Sequence, residues 1–199
     1  MKKIGLTGGI GVGKTFVSEI FQKMGYPIFL ADNEAKKFMS ESEELRNSII
    51  QNFGNEVYEK GILQKEILAS IVFNDSIKLV QLNKLVHPIV QKCFEVWQKN
   101  QNAKFIIKEA AILFESGAHI GLDAVICVTA PMEIRIKRVI QRDNCSKEEV
   151  FKRIKNQMPQ EEKERLSDFI IVNKRGEKLL PQILEICKKI ENLKSKSIG

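Results

Sequence analysis

The chain has 199 residues but only two histidines, and its four cysteines, Cys93, Cys127, Cys145 and Cys187, lie far apart with no C-x-x-C pair. Neither a zinc site nor a dithiol redox motif is indicated, and reduced thiols in a cytosol are expected. No stretch approaches the ~18 uninterrupted apolar residues of a membrane span. Residues 1–15 carry no signal-peptide pattern, because glycines interrupt any apolar run. The expectation is an untargeted, cytoplasmic protein with no membrane partner. Internal repeats are also missing. A net charge of +7 favours anionic partners. The basic residues nevertheless alternate with acids, as in Gln160-Glu-Glu-Lys-Glu-Arg165, the pattern of a solvated helix and not of a nucleic-acid surface. Charge alone does not choose among nucleic acid, a membrane surface and a small polyphosphate, although this interleaving argues against a nucleic-acid partner. With 43% hydrophobic residues, the chain can bury a full core without disulfides or metals.

The most informative stretch present is the first fifteen residues. A short apolar strand, Lys3 to Thr7, runs into Gly8-Gly-Ile-Gly-Val-Gly-Lys-Thr15. Glycine, four residues, glycine, lysine and threonine is the spacing of a P-loop, whose backbone N–H groups cradle phosphate oxygens. The candidate nucleotide contacts are Gly9, Ile10, Gly11, Val12, Gly13, Lys14, Thr15 and Phe16. Lys14 neutralises the β- and γ-phosphates, and the Thr15 hydroxyl holds Mg²⁺. A helix follows, with Val17, Ile20, Phe21 and Met24 at helical spacing and Gly25 as its end.

Further apolar runs at Pro27 to Leu30, Lys104 to Lys108, Ala124 to Thr129 and Phe169 to Val172 read as strands covered on both faces. Strands alternating with helices predict an α/β, three-layer fold with a five-stranded parallel sheet. Ligands then gather at the carboxyl ends of the strands. The segments just beyond each strand are Gly8 to Thr15, Ala31 to Glu34, Glu109 to Glu115, Ala130 to Met132 and Asn173 to Gly176. We read one domain with a core of residues 1–32, 103–130 and 167–199. Residues 33–102, helical throughout by their spacing, form an insert. Residues 131–166, charged and entered through Pro131, form a lid. A closing helix over Glu177 to Lys194 packs Leu180, Ile183, Leu184, Cys187 and Ile190 inward. Its Lys188, Lys189 and Lys194, with Lys196 just beyond, suit the negative C-terminal end. The last few residues read as disordered.

GTP-binding switches are excluded, because Asn173-Lys-Arg-Gly176 lacks the final aspartate of their base-binding motif and no aspartate has a glycine three positions later. A nucleic-acid ATPase needs an acidic residue after an apolar strand, and Glu109 is the candidate. A small-molecule kinase needs a P-loop, an acid near the acceptor hydroxyl and a basic lid, and all three are present.

Several candidates carry two readings each. Asp32 is a general base or a helix N-cap. Glu109 touches Mg²⁺ through water or ends a strand in solvent. His87, before Pro88, is expected in an extended or turn conformation at a helix boundary, and on sequence alone it reads as a structural histidine rather than a binding one. Arg138 and Arg142, four apart, clamp phosphates or stack on adenine, or are ordinary surface arginines. Asn173 and Gly176 line an adenine pocket or form a turn.

Gly5 to Thr15, Ala31-Asp32, Leu85-Val-His-Pro-Ile89, Ile112-Leu-Phe-Glu115, Arg138-Val-Ile-Gln-Arg-Asp143, Arg153-Ile-Lys-Asn-Gln157 and Asp168 to Gly176, in this order, resemble the dephospho-coenzyme A kinase family. The resemblance implies transfer of the ATP γ-phosphoryl group to the ribose 3′-hydroxyl of dephospho-coenzyme A, the last step of coenzyme A synthesis. It implies ATP and Mg²⁺ as cofactors, Asp32 and Lys14 as catalytic residues, and Asp32, His87, Glu109 and Leu113 on the acceptor side. This chain departs from the family at Leu30, where the first acid of Asp-Ala-Asp is missing, and at Glu109-Ala-Ala, which replaces Asp-x-Pro. The alternatives are another small-molecule kinase on the same scaffold or a nucleic-acid-dependent P-loop ATPase.

Overall fold

A computed structural model describes residues 1–73 and 75–193. The expectations for Lys194, Lys196 and the last residues lie outside that range. The chain divides into two compact units, residues 1–30 with 100–199, and residues 31–99.

The first unit is built on a parallel sheet. Its strands are β1 (Lys2–Thr7), β2 (Ile28–Leu30), β5 (Phe105–Glu109), β6 (Ala124–Thr129) and β7 (Phe169–Val172), in the order β2-β5-β1-β6-β7. β1 is therefore central, and the loop after it leaves the middle of the carboxyl edge. Along β1 the side chains alternate. Ile4 and Leu6 join a core with Val17 and Phe21 of α1 (Lys14–Lys23) and Ile183, Cys187 and Ile190 of α9 (Leu179–Asn192). Gly5 faces the other side, where a Cβ would lie 2.6 Å from Leu113. Both faces of the strand are covered, which is why its apolar run is continuous. α1 ends as expected: Gly25 takes φ +89° while Tyr26 N–H reaches back to Phe21 O, a Schellman closure.

Between β6 and β7 lie α6 (Met132–Asp143), α7 (Lys147–Lys155) and α8 (Gln160–Leu166). A capping box between Ser146 and Glu149 starts α7.

The second unit contains α2 (Ala31–Glu41), α3 (Glu43–Phe53), a hairpin of β3 (Tyr58–Glu59) and β4 (Ile62–Leu63), α4 (Lys65–Phe73) and α5 (Ser76–Lys99). The hairpin corrects the expectation of helix throughout residues 33–102. Lys60 and Gly61 both adopt positive φ, 49° and 79°. That pair of angles is a type I′ turn, which matches strand twist and interrupts the helical pattern. His87 and Pro88 hold the second correction: both lie inside α5 and not at its boundary. Proline removes one helical hydrogen bond. α5 continues because Val86, Val90 and Phe94 are buried on both sides of the proline, and that packing outweighs the lost bond.

Candidate functional site

The loop after β1 is held in a conformation that only glycine tolerates. Gly8, Gly11 and Gly13 have φ of 144°, 81° and 91°. Gly13 sits at the N-terminus of α1, and no side chain caps that helix. The first N–H groups of a helix have no intrahelical partner and carry the positive end of its dipole, so this end is suited to phosphate. Thr15 and Phe16 are exposed in the first turn of α1. Lys14 Nζ donates to Gly8 O at 2.9 Å and stands 3.9 Å from Glu109 Oε1. Leu6 and Leu30 both register with Glu109, so the parallel pairing of β1, β2 and β5 carries that carboxylate to the carboxyl edge beside the lysine.

Several sequence candidates converge on this loop. Arg138 Nη1 donates to Val12 O at 3.2 Å and its Nη2 to Asn173 Oδ1 at 3.3 Å, while Asn173 Nδ2 donates to Val12 O at 2.8 Å. Ile10 packs its side chain against Ile136, Val139 and Val150. The N–H groups of Gly9 and Ile10 donate to Gln160 and Gln157, at 2.8 and 2.9 Å. Those two amides are thus engaged by protein.

Other candidates are placed elsewhere. Arg142 is turned to its neighbour, with Nε 2.7 Å from Asp143 Oδ1, and Arg153 binds the same carboxylate at 2.7 Å. The Arg142 guanidinium, with Arg153, holds the Asp143 carboxyl below the usual carboxylate range. Gly176 has φ 88° with no atom near its missing Cβ, which fits a turn. Leu113, expected on the acceptor side, is fully buried, and its side chain fills the space above Gly5. The strand face needed an apolar filler there, so that side chain belongs to the core.

Asp32 and His87 belong to the second unit. Asp32 lies in the first turn of α2, a helix that begins at Ala31. A carboxylate there faces the positive end of the helix dipole. On the same unit Cys93 Sγ lies 3.8 Å from Glu34, and burial raises the thiol.

Three residues of the site escaped the sequence reading. Arg135 is 3% exposed and donates through Nε to Ile10 O at 3.0 Å. Burial lowers its basicity. Its backbone also explains the loop composition, since a Cβ on Gly11 would sit 2.5 Å from Arg135 O. Gln160 donates to Val128 O at 3.2 Å, with Cys127 Sγ also 3.2 Å from that nitrogen, while accepting from Gly9. Burial pushes the Cys127 thiol up to about 11. Lys163, with no exposed surface, bonds Ala111 O at 2.6 Å and Glu115 Oε1 at 2.7 Å. The signal in the sequence was weak: Arg135 borders the apolar stripe of Ile136 and Val139, and the run from Gln160 to Arg165 has the pattern of a solvated helix, which the burial of Gln160 and Lys163 corrects.

The oxygen ligands suit Mg²⁺, a hard cation that takes one or two protein oxygens and completes its shell with phosphates and water. Thr15 and Glu109 supply such oxygens. Among the described residues no helix is long and apolar enough to cross a membrane.

A family model described as dephospho-CoA kinase matches residues 2–178. A dephospho-CoA kinase of Bacteroides fragilis is 40% identical over 185 residues, covering 92% of this chain and 90% of that protein. Among solved structures, TT1252 from Thermus thermophilus superposes with a TM-score of 0.84 at 31% identity, covering 94% of this chain and 96% of that one. A dephospho-CoA kinase from Campylobacter jejuni gives a TM-score of 0.66 at 29% identity, covering 96% and 98%.

Proposed function

The chain belongs to the dephospho-CoA kinase family, and from that premise we propose how its residues divide the work of ATP-dependent phosphorylation of dephospho-coenzyme A at the ribose 3′-hydroxyl. The observation that carries the division is the P-loop lysine, held at the carboxyl edge of the sheet between Gly8 O and Glu109.

The γ-phosphoryl group lies against the N–H groups from Gly11 to Phe16, and Lys14 exchanges Gly8 O for the phosphate oxygens that gain charge as transfer proceeds. Gly9 and Ile10 shape the loop through their backbone course. Thr15, with Glu109 through water, would hold Mg²⁺, which neutralises phosphate charge when bound. Arg138 and Asn173 line the nucleotide's side of the loop, with Gly176 closing the turn beside it. Asp32 orients the 3′-hydroxyl and takes its proton as that oxygen bonds to the γ-phosphorus and ADP departs with the cleaved bond's electrons. His87 and the helical unit serve the bulky acceptor. Residues 131–166 form a lid whose base is fixed on the P-loop and whose Arg142-to-Arg153 end moves. The enzyme is cytoplasmic and acts on a small molecule, without a nucleic-acid or membrane partner.

The test is ADP formation with dephospho-coenzyme A, AMP, shikimate and adenosine as separate acceptors. Turnover with dephospho-coenzyme A alone is expected. Comparable turnover with AMP or shikimate, or ATP hydrolysis driven by added DNA or RNA, would overturn the assignment.

A further inference from the structure

We propose that Gln157 and Gln160 are positioning residues for the phosphate-binding loop: they hold its first two amides from outside and so set the shape that the remaining amides present to ATP. This rests on the nucleotide role of the loop given above.

The loop Gly8 to Gly13 contains four glycines. Glycine has wide backbone freedom, so an unsupported loop of this composition populates many shapes and loses affinity in ordering. Here the outer rim is pinned atom by atom. Gly9 N–H donates to Gln160 Oε1 at 2.8 Å, and Ile10 N–H donates to Gln157 Oε1 at 2.9 Å. Ile10 O accepts from Arg135 Nε at 3.0 Å, and Val12 O from Asn173 Nδ2 at 2.8 Å. None of these side-chain contacts uses an N–H beyond Ile10; of the amides that follow, Val12 N–H turns back to Gly9 O at 3.4 Å within the loop.

The two glutamines are themselves fixed. Gln160 is 7% exposed, and its amide nitrogen donates to Val128 O and to Glu164 Oε1, at 3.2 and 3.1 Å. Just after Gln157, Met158 N–H donates to Glu115 Oε1 at 2.9 Å, and the same oxygen is held 2.7 Å from the buried Lys163 ammonium. A glutamine suits the task because it is neutral. Its carbonyl satisfies a backbone amide without placing a negative charge beside a polyphosphate site, and in Gln160 the NH₂ anchors the side chain at the other end. Removing the acceptor leaves a half-buried N–H without its partner, and the loop relaxes to recover one.

The test measures ATP affinity by calorimetry without acceptor, together with kcat and both KM values, for Gln157→Leu, Gln157→Glu and Gln157→Leu/Gln160→Met. Folding is checked by circular dichroism and thermal melting. Gln157→Leu is expected to weaken ATP binding and raise the KM for ATP roughly tenfold, with the KM for dephospho-coenzyme A within twofold of wild type. Gln157→Glu keeps an acceptor for Ile10 N–H and should recover most of the loss at low pH, where it is neutral. The double variant should lose more than Gln157→Leu alone. ATP affinity within twofold of wild type in folded Gln157→Leu would overturn the proposal. So would an equal rise in both KM values, which marks general loosening. Should the Gln160 change prevent folding, the half-buried Gln157 decides the matter by itself. ATP binding by the wild-type chain tests the nucleotide role, and the ratio of variant to wild type tests the positioning.

Discussion

The sheet unit and the helical unit of this chain are each held together internally, by different kinds of contact. In the sheet unit, polar side chains reach across most of the sequence to grip backbone: Gln160 to Gly9 spans 151 residues and Asn173 to Val12 spans 161. In the helical unit the described side-chain bonds have a shorter reach, as in Ser40 to Lys36 O, Ser48 to Glu44 O and Asn52 to Ser48 O, each four residues apart, and Gln81 to Asn52, 29 apart. Its stability rests on apolar packing by Leu45, Ile49, Phe53, Val86, Val90 and Phe94. A directed polar contact fixes an atom to within tenths of an ångström, whereas apolar packing tolerates exchange of one filler for another. The unit that handles phosphate is the one that requires the first kind of precision.

Asp32 is the sharpest challenge to that contrast, because it assigns chemistry to the helical unit. Asp32→Asn keeps size and polarity and should lower kcat by roughly 10²- to 10⁴-fold with ATP affinity little changed, as measured by steady-state kinetics and calorimetry. A folded variant within a few-fold of wild type would take the proton-transfer step away from that unit.

Lys14→Ala comes next. Loss of the ammonium that stabilises charge on the transferring group should cost about 10²- to 10³-fold in kcat. Near wild-type turnover would remove the P-loop from the mechanism.

A pair of glycine substitutions compares the units directly. At Gly11 (φ 81°), an added Cβ meets the Arg135 backbone at 2.5 Å. Gly11→Ala should lose at least about 2 kcal/mol in urea unfolding, and ATP binding with it. At Gly61 (φ 79°), the Cβ meets only the flexible end of Arg46 at 3.3 Å. Gly61→Ala should cost about 1 kcal/mol, the left-handed backbone strain alone, and leave ATP binding unchanged. Equal losses at both positions would erase the distinction.

The smallest effect belongs to the exposed end of the lid. The Asp143 carboxyl is held below its ordinary range by Arg142 and Arg153. A lowered carboxyl contributes stability above the unfolded-state pKa and loses that contribution as pH falls through the folded value. Asp143→Asn should therefore lower stability at pH 7 by about 0.2–1 kcal/mol, with the difference from wild type vanishing below the carboxylate range. Thermal melts of both proteins from pH 7 to pH 3 check this, and a difference that persists in acid would rule out the ion pair as its source.

Much of the architecture was legible in local patterns. All five sheet strands lie where continuous apolar runs placed them, within a residue or two at their ends; burial on both faces accounts for β1, β5 and β6, whereas the edge strands β2 and β7 leave Leu30 and Ile170 exposed, against the expectation that they are covered on both faces. The P-loop was legible because its spacing is itself the geometry, and Gly25 was legible as a helix end. The hairpin at Tyr58 to Leu63 was missed because two-residue strands are too short to show alternation. The continuation of α5 through Pro88 was missed because the proline's local preference was overridden by packing on either side of it.

The sequence by itself determined the parallel α/β layout, the phosphate loop and the acid that follows the second strand. Each of these depends on neighbours within a few residues, where spacing and chemistry are read together. Only the tertiary structure decided that Arg135, Gln157 and Gln160 hold the loop, that Arg142 turns to Asp143, and that Leu113 fills the space above Gly5. A polar side chain on a helix has the same local appearance whether it meets water or a backbone amide 151 residues away. Which of the two it meets is settled by strand order, since β1 lies beside β6 and so brings its loop under the segment that follows β6.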